Sequence, residues 1–169
     1  MEARTDSTRP PRPLQTARAP STFARRHPST FAARMPHSHA TELRVRYAET
    51  DRMGVVYYAN YLVWCEVGRV ELLRSLGRSY AALEGDGIGL AVSEARVRYL
   101  APARFDDIVR IDTTLASVRS RALTFDYIIS DAVSGTRFAI AHTSLVSIDS
   151  VGRLTVIPLD FRAALEAVR

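Results

Sequence analysis

The sequence predicts an α+β fold in which a five-stranded, largely antiparallel sheet wraps around one long helix. Three observations lead to this fold class. A segment of alternating polar and apolar residues begins at Thr41, an apolar stripe at helical spacing follows it, and four segments with strand periodicity or β-rich composition come after the helix. An order of one strand, one long helix and four strands is an α+β layout, and wrapping the sheet around the helix is its simplest packing.

The first 40 residues differ in composition from the rest, and we predict a disordered tail over 1–40 followed by one folded domain over 41–169. The tail is rich in Pro, Arg, Ser, Thr and Ala, and its six prolines interrupt any helix. It is interpreted either as a transit peptide or as an upstream extension of a chain whose start is Met35. The prolines favour the second interpretation, because they disrupt the amphipathic helix of a targeting sequence.

The net charge of +5 belongs entirely to this tail. Residues 1–40 hold seven Arg and two acidic residues, whereas residues 41–169 hold sixteen Arg and sixteen acidic residues. The folded part therefore has no net field that would attract nucleic acid. The sequence contains no run of about 18 apolar residues, so it predicts no membrane span. The single cysteine, Cys65, rules out an internal disulfide and fits a reducing compartment, so we predict a cytoplasmic protein.

The first strand is predicted from Leu43, Val45 and Tyr47, which alternate with charged residues and so define one buried face. A loop follows the strand and contains Asp51 and Gly54. Because glycine adopts left-handed backbone angles without strain, Gly54 permits a tight turn in this loop.

The long helix is predicted from about Asn60 to Leu76, with Asn60 as its N-cap and Gly77 at the C′ position. Gly68 in mid-helix costs about 1 kcal/mol relative to Ala, which indicates a close approach of the helix backbone to the sheet. The stripe is wide enough to be covered by the sheet on most sides. Its members are Tyr61, Leu62, Trp64, Cys65, Gly68, Leu72 and Leu76.

A turn-rich stretch from Ser79 to Gly89 separates the helix from the remaining strands. A turn over Asp131 to Gly135 predicts that the last two strands pair as a hairpin. A weak terminal helix is predicted over Leu159 to Val168. The four strands are predicted over Leu90 to Leu100, Ile108 to Val118, Ala122 to Ser130 and Thr136 to Ile148.

The loop before the helix is the segment richest in groups that could perform chemistry. Two carboxylates, Glu49 and Asp51, lie there just ahead of a helix N-terminus, which offers unpaired N–H groups and the positive end of the helix dipole. Such a terminus would stabilise an oxyanion, and a carboxylate could attack a carbonyl or activate water. The alternative for Asp51 is a loop carboxylate that caps a turn or pairs with Arg52.

The strings RVRYAETDRMGVVYYANYLVWCEVGR and ELLRSLG resemble the Asp-containing loop and central helix of the 4-hydroxybenzoyl-CoA thioesterase family, in its branch of small bacterial acyl-CoA thioesterases. The resemblance runs from about Thr41 to Pro158. It implies a hotdog fold, a homodimer or homotetramer, and active sites at the dimer interface with acyl-CoA lying across it. It implies no metal or redox cofactor. The CoA in the site is part of the substrate and not a cofactor.

The resemblance also implies roles for individual residues. Asp51 would be the catalytic carboxylate, as nucleophile or general base, and the amides near Tyr58 and Ala59 would hold the thioester oxygen. One departure is Tyr58, where many members carry His; a phenol with a reference pKa of about 10 is no base at neutral pH. The substrate-binding residues would be Gly54, Val55, Val56, Tyr57, Glu66 and Arg98.

Other polar residues have ordinary interpretations beside functional ones. Glu66 would reach the site, or form an ion pair with Arg69 or Arg44. His142 is the only histidine of the folded part, and no G-x-S-x-G motif stands beside a helix start, which argues against a Ser-His-Asp hydrolase. The scarcity of histidine and cysteine also argues against a metal cluster. The candidate partners of the CoA phosphates are Arg96, Arg98, Arg104 and Arg121.

Three functions are therefore compared. A thioesterase would cleave acyl-CoA with water, a non-catalytic module would bind acyl-CoA or acyl carrier on the same fold, and a hydratase would use a His with a carboxylate. Asp51 beside an intact helix start favours the thioesterase.

Overall fold

The structure is a computed structural model that describes residues 38–168. The first 37 residues of the predicted disordered tail, with the transit peptide and the start at Met35, lie outside the described residues. The first strand begins at Ser38 rather than at Thr41, so it includes the last three residues assigned to the tail.

Five strands form one sheet in the order β1-β3-β4-β5-β2, and every pairing is antiparallel. The predicted hairpin of the last two strands is confirmed as β4 and β5. The bounds of the last four strands agree with the sequence prediction to within one residue at each end. The strands are β1 Ser38–Arg44, β2 Gly89–Tyr99, β3 Ile108–Val118, β4 Ala122–Asp131 and β5 Arg137–Ile148.

Three α-helices accompany the sheet in the described part of the chain: α1 Asn60–Ser75, α2 Tyr80–Gly85 and α3 Leu159–Val168. The long helix α1 and the terminal helix α3 were predicted. The short helix α2 was missed within the stretch predicted as turns; Ser79 caps it, since its side chain accepts a hydrogen bond from the Ala82 N–H at 3.1 Å. No helix within 38–168 is long and apolar enough to cross a membrane.

The two ends of α1 differ in how well they were predicted. Gly77 has φ +70° and its N–H bonds the Arg74 carbonyl at 2.9 Å, so the C′ glycine is confirmed. The prediction of Asn60 as N-cap is wrong. Ala59 precedes the first helical residue with helical backbone angles, and the Asn60 side chain instead donates to the Glu49 carbonyl at 2.7 Å.

Helix α1 packs on the inner face of the sheet, mainly against β1 and β3. A Cβ on Gly68 would lie 2.4 Å from Thr113 Oγ1 and 2.9 Å from Ile111 Cγ2. The predicted close approach of helix and sheet is therefore confirmed, and it explains why glycine stands in mid-helix.

Within this chain, the sheet leaves one side of α1 uncovered. Leu62 and Val63 remain 39% and 47% exposed, and so does Val92 of β2 at 49%. The reason is the strand order: α1 lies over β1 and β3, whereas β2 is the opposite edge of the sheet. The side of α1 that faces β2 is left open within this chain.

Candidate active site

The loop between β1 and α1 closes on itself before the helix begins. Thr50 and Val56 pair as an isolated antiparallel bridge, the Asp51 N–H bonds the Val55 carbonyl at 2.9 Å, and the Gly54 N–H bonds the Asp51 carbonyl at 2.9 Å. Gly54 has φ +71°, the left-handed conformation that was expected of it. The closed turn fixes the position of Asp51.

The Asp51 carboxylate is half-buried, and its two oxygens differ. Oδ1 accepts a hydrogen bond from the Met53 N–H at 2.8 Å, so the carboxylate does cap its own turn. Within residues 38–168, Oδ2 has no hydrogen-bond partner and Arg52 forms no ion pair with Asp51. One oxygen is thus held by the loop, and the other is open to a ligand.

The start of α1 presents free amides beside this loop. The Tyr57 N–H bonds the Glu49 carbonyl and the Asn60 N–H bonds the Tyr57 carbonyl, each at 2.9 Å. Between them, the N–H groups of Tyr58 and Ala59 have no acceptor among the described residues. They lie at the positive end of the α1 dipole, an arrangement that suits an oxygen carrying negative charge.

Glu49 is part of the scaffold, although it lies only two residues from Asp51. It is 5% exposed; Oε2 accepts from the Arg46 N–H at 2.7 Å, and Oε1 accepts from Arg46 Nη2 at 3.0 Å and from Trp64 Nε1 at 3.2 Å. Burial raises the pKa of Glu49, but the hydrogen bonds from Arg46 and Trp64 and the Arg46 charge outweigh it, so the pKa lies below its ordinary value. The carboxylate ties the loop to α1.

Two tyrosines that sequence reasoning missed as site residues connect the helix start to the far edge of the sheet. Tyr99 Oη at the end of β2 donates to the Tyr58 carbonyl at 3.0 Å. Tyr61 Oη accepts from the Ala103 N–H at 3.2 Å, and the Val56 N–H bonds the Ala103 carbonyl at 2.9 Å. No periodicity in the sequence indicates these contacts, because they join segments about 40 residues apart.

These segments enclose a cleft of about 390 Å³. Among the described residues, the only charged one that lines it is Asp51, and most of the remaining walls are apolar or aromatic. Four residues predicted for the site share the cleft: Asp51, Val55, Val56 and Tyr58. The other lining residues are Met53, Tyr61, Tyr99, Leu100, Ala101 and Pro102.

Comparison with known proteins identifies the family of this chain. The model of the thioesterase-like superfamily matches residues 45–165. The chain belongs to this superfamily. The five-stranded antiparallel sheet with a helix packed against it is the hotdog-like fold of the superfamily, so the predicted fold class is confirmed.

The relatives of this thioesterase-like protein include named enzymes. YneP of Bacillus subtilis (strain 168), whose name provisionally calls it an acyl-CoA thioesterase, is 34% identical over 73% of this chain and 86% of its own length. The acyl-CoA thioester hydrolase YbgC of Escherichia coli O6:H1 is 41% identical, over 49% of this chain and 62% of its own length. These names support the prediction of a hydrolase.

Among solved structures, the hypothetical protein TT1821 from Thermus thermophilus is similar to this thioesterase-like protein. It superposes with a TM-score of 0.73 at 37% identity, over 77% of this chain and 98% of that chain.

The remaining predicted site residues do not line the Asp51 cleft. The rings of Tyr57 and Tyr58 are tilted by 47° with their centroids 4.4 Å apart, and the Gly54 carbonyl accepts from Arg104 Nη1 at 3.4 Å. Glu66 lies 3.7 Å from Arg69, the ion pair that was its alternative interpretation, in a separate cleft of about 240 Å³ between α1 and β2.

Arg98 lies on the other face of the sheet from the Asp51 cleft. It neighbours Tyr99 along β2, and successive side chains of a strand point to opposite faces. Within one chain, Arg98 and Asp51 are therefore not brought together. Within residues 38–168, no group of three or more His, Cys, Asp or Glu side chains could hold a metal ion.

Proposed function

We propose that this protein hydrolyses acyl-CoA thioesters to a free carboxylate and CoA, as a member of the 4-hydroxybenzoyl-CoA thioesterase branch of its superfamily. One observation carries the proposal: Asp51 lines the same cleft as Tyr58, at the start of α1, where the Tyr58 and Ala59 amides have no acceptor within residues 38–168. The names of YneP and YbgC support the same reaction.

In this proposal the free amides bind the thioester oxygen. Attack on the carbonyl carbon places negative charge on that oxygen, and two N–H groups at a helix N-terminus stabilise it. Preorganised donors of this kind act without rearrangement, because the Glu49 and Tyr57 contacts already fix the backbone around them.

Asp51 supplies the carboxylate for the attack, through the oxygen that the Met53 amide does not hold. As nucleophile it forms a mixed anhydride that water then hydrolyses; as general base it takes a proton from the attacking water. In both routes the carbon–sulfur bond breaks, its electron pair leaves with the CoA sulfur, and that sulfur gains a proton. No metal or redox cofactor is required.

The cleft also bears on the substrate class. Its apolar walls and the Asp51 charge favour an uncharged acyl group over an anionic one. The Tyr58 hydroxyl, at the position where many relatives carry His, would donate a hydrogen bond to the substrate. Arg104, which contacts the Gly54 carbonyl, is the predicted phosphate partner nearest the loop; a CoA bound across a subunit interface would bring Arg98 to the substrate.

A homodimer would complete the site. The apolar residues Leu62, Val63 and Val92 flank the open side of α1, next to the edge of β2 that pairs with no strand of the described residues. Exposed apolar surface of this kind marks interfaces. The cytoplasm remains the predicted location.

The test measures thiol release from a panel of aromatic and aliphatic acyl-CoAs by the wild type and by Asp51→Asn. Asparagine keeps a carbonyl oxygen for the Met53 amide, so the substitution removes the charge and preserves the turn. We expect the rate to fall about a hundredfold or more, the scale of a lost acid–base group. Asp149→Asn is the matched control, since Asp149 Oδ1 likewise accepts from the Val151 and Arg153 amides of its own turn.

One observation favours a non-catalytic acyl-CoA or acyl-carrier binding module instead: the Asp51 carboxylate already has a structural use as a turn cap. Binding of CoA esters without thiol release would support the non-catalytic binding module and would contradict the proposed hydrolase activity. Full activity of Asp51→Asn would retain the hydrolase but remove Asp51 from its chemistry.

A further inference from the structure

The cleft of about 240 Å³ between α1 and β2 combines apolar walls with two charged groups. Glu66 and Arg69 carry the charges, and neither has a part in the reaction proposed above. An apolar cleft with a few convergent polar groups is the usual anatomy of a small-molecule site. The other lining residues are Leu62, Val63, Val92, Ala95 and Thr143.

Arg69 is the unusual member of this cleft, because its side chain is only 9% exposed. Its Nε donates to the Tyr80 hydroxyl at 3.3 Å, and the buried Tyr127 hydroxyl also neighbours the guanidinium. Within residues 38–168, its only ion-pair partner is Glu66, whose Oε2 lies 3.7 Å from Nη2, beyond hydrogen-bond distance. A guanidinium has five N–H donors, so donors remain for an acceptor that enters the cleft.

The cleft lies in line with the free amides at the start of α1. Ala59, Val63 and Glu66 follow one another at spacings of four and three residues, which places them on one face of the helix. The surface between them is apolar and open, since Leu62 and Val63 are 39% and 47% exposed. Glu66 comes seven positions after Ala59, a span of about 10 Å at the helical rise.

Strand β2 forms the opposite wall over a similar length. Tyr99 lines the Asp51 cleft and Ala95 lines the Arg69 cleft, with Val97 between them. Side chains two residues apart on a strand point to the same face, and the four steps from Tyr99 to Ala95 span about 14 Å. The two clefts are therefore the ends of one groove between α1 and β2, the α1–β2 groove.

We propose that the α1–β2 groove holds the acyl chain of the substrate, and that Glu66 and Arg69 bind a hydroxyl group at the far end of that chain. The inference rests on the thioesterase reaction proposed above, which fixes the thioester carbonyl at the start of α1. A hydroxyl is both acceptor and donor, so it accepts from Arg69 and donates to Glu66. A second subunit on the open side of α1 would cover the groove and exclude water from these hydrogen bonds.

Other chain ends fit this pair of charges less well. A methyl group would cover the Arg69 donors without offering an acceptor, which leaves a buried cation poorly solvated. A carboxylate would accept from Arg69 but would meet the like charge of Glu66.

The length of the groove indicates the length of the chain. Three bonds of an extended chain span at most about 3.6 Å, so about 10 Å corresponds to about eight bonds. In an ω-hydroxyoctanoyl ester this is the path from the thioester carbon to the hydroxyl oxygen.

The test compares kcat/KM for ω-hydroxyoctanoyl-CoA, octanoyl-CoA and octanedioyl-CoA, which share a chain length and differ at its far end. We expect the wild type to prefer the hydroxyl ester over octanoyl-CoA by about tenfold to a hundredfold, the scale of a hydrogen bond to a charged group. Arg69→Met keeps much of the side-chain bulk and removes the donors, so this ratio should fall to about one. A ratio of two substrates measured on one enzyme does not depend on the fraction that is folded.

Glu66→Gln is a second variant, and it should fold because the Glu66 side chain is 65% exposed. It removes the repulsion of an anionic chain end, so kcat/KM for octanedioyl-CoA should rise about fivefold relative to octanoyl-CoA, the scale of one charge pair at contact in water. Glu71→Gln is the matched control. Glu71 pairs with Arg74 at the same spacing on α1 but lines neither cleft, so its ratios should equal those of the wild type.

A wild-type ratio near one, or a hydroxyl preference that survives Arg69→Met, would overturn this inference. Either result would leave the thioesterase intact, because octanoyl-CoA would still release thiol. If no ester releases thiol, the proposed reaction fails instead, and calorimetry with the same esters decides the inference. The Kd of the hydroxyl ester should then be at least about tenfold below that of octanoyl-CoA, and equal Kd values would overturn the assignment of Glu66 and Arg69.

Discussion

The phenol of Tyr99 donates a hydrogen bond to the backbone carbonyl of Tyr58, with 3.0 Å between the oxygens, and so joins the end of β2 to the start of α1. The carbonyl it holds belongs to the peptide group whose N–H is that of Ala59. Tyr99 therefore orients one of the two amides proposed to bind the thioester oxygen, and is a positioning residue rather than a group that touches the reacting atoms.

We expect Tyr99→Phe to lower kcat about fivefold and to leave KM nearly unchanged. A single hydrogen bond contributes about 1 kcal/mol, and the amide it orients acts mainly in the transition state. Steady-state kinetics measure the effect, with the exposed Tyr47→Phe as control. A rise in KM at constant kcat would instead show that Tyr99 only lines the acyl cleft.

Glu49→Gln is expected to reduce the free energy of unfolding by about 1–3 kcal/mol at pH 7, because both carboxylate oxygens accept from donors and the Gln amide would oppose one of them. Urea unfolding measures the loss. Glu166→Gln, where the Glu166 side chain is 51% exposed, serves as control and should change little.

The Glu49 contribution should also depend on pH in a defined direction. Its folded-state pKa lies below the ordinary value of 4.5, so the stabilisation is fully present above that pH and is lost as the pH falls through the lower, folded-state pKa. The stability difference between wild type and Glu49→Gln should therefore shrink in acid. A difference that stays constant from pH 7 to the acid limit would contradict this account.

Gly68→Ala is expected to destabilise the protein by about 1–3 kcal/mol, because the new methyl group would overlap Thr113 and Ile111 on the sheet. Gly85→Ala in α2 is the matched comparison. Among the described residues, no atom beyond its chain neighbours and its own helix backbone lies within 4 Å of its added Cβ, so alanine should stabilise there by up to about 1 kcal/mol. Thermal unfolding distinguishes the two; equal effects at both positions would refute the close approach of α1 to the sheet.

Cys65 should be inert toward thiol reagents in the native protein. It is fully buried, and burial raises the pKa of its thiol to about 12 despite the nearby Arg69 charge. Labelling by a disulfide reagent at pH 8 should therefore follow the rate of unfolding. Rapid labelling under native conditions would contradict the buried position, and would also interfere with thiol-release assays.

Much of the fold follows from local patterns. The apolar stripe of α1, Gly77 at its C′ position and Gly68 at its sheet contact were readable, because period and backbone conformation are set by neighbours in the chain. The alternation that predicted the first strand was wrong at Tyr47, which lies beyond the end of β1 and is 78% exposed. The N-cap prediction for Asn60 was wrong because the sequence does not distinguish an Asn that caps its own helix from one whose side chain donates to a distant carbonyl, as Asn60 does to Glu49. The short helix α2 was missed because six residues carry too little periodicity.

The sequence by itself determined the fold class, the superfamily resemblance and the loop on which Asp51 lies. Only the tertiary structure decided that Glu49 is buried under Trp64 while Asp51 faces a cleft, that Tyr99 reaches the Tyr58 carbonyl, and that Arg98 lies on the opposite face of the sheet. These relationships depend on strand order and on which side of β1 and β3 the helix covers. Long-range packing sets both, and the local sequence pattern around a residue does not determine either of them.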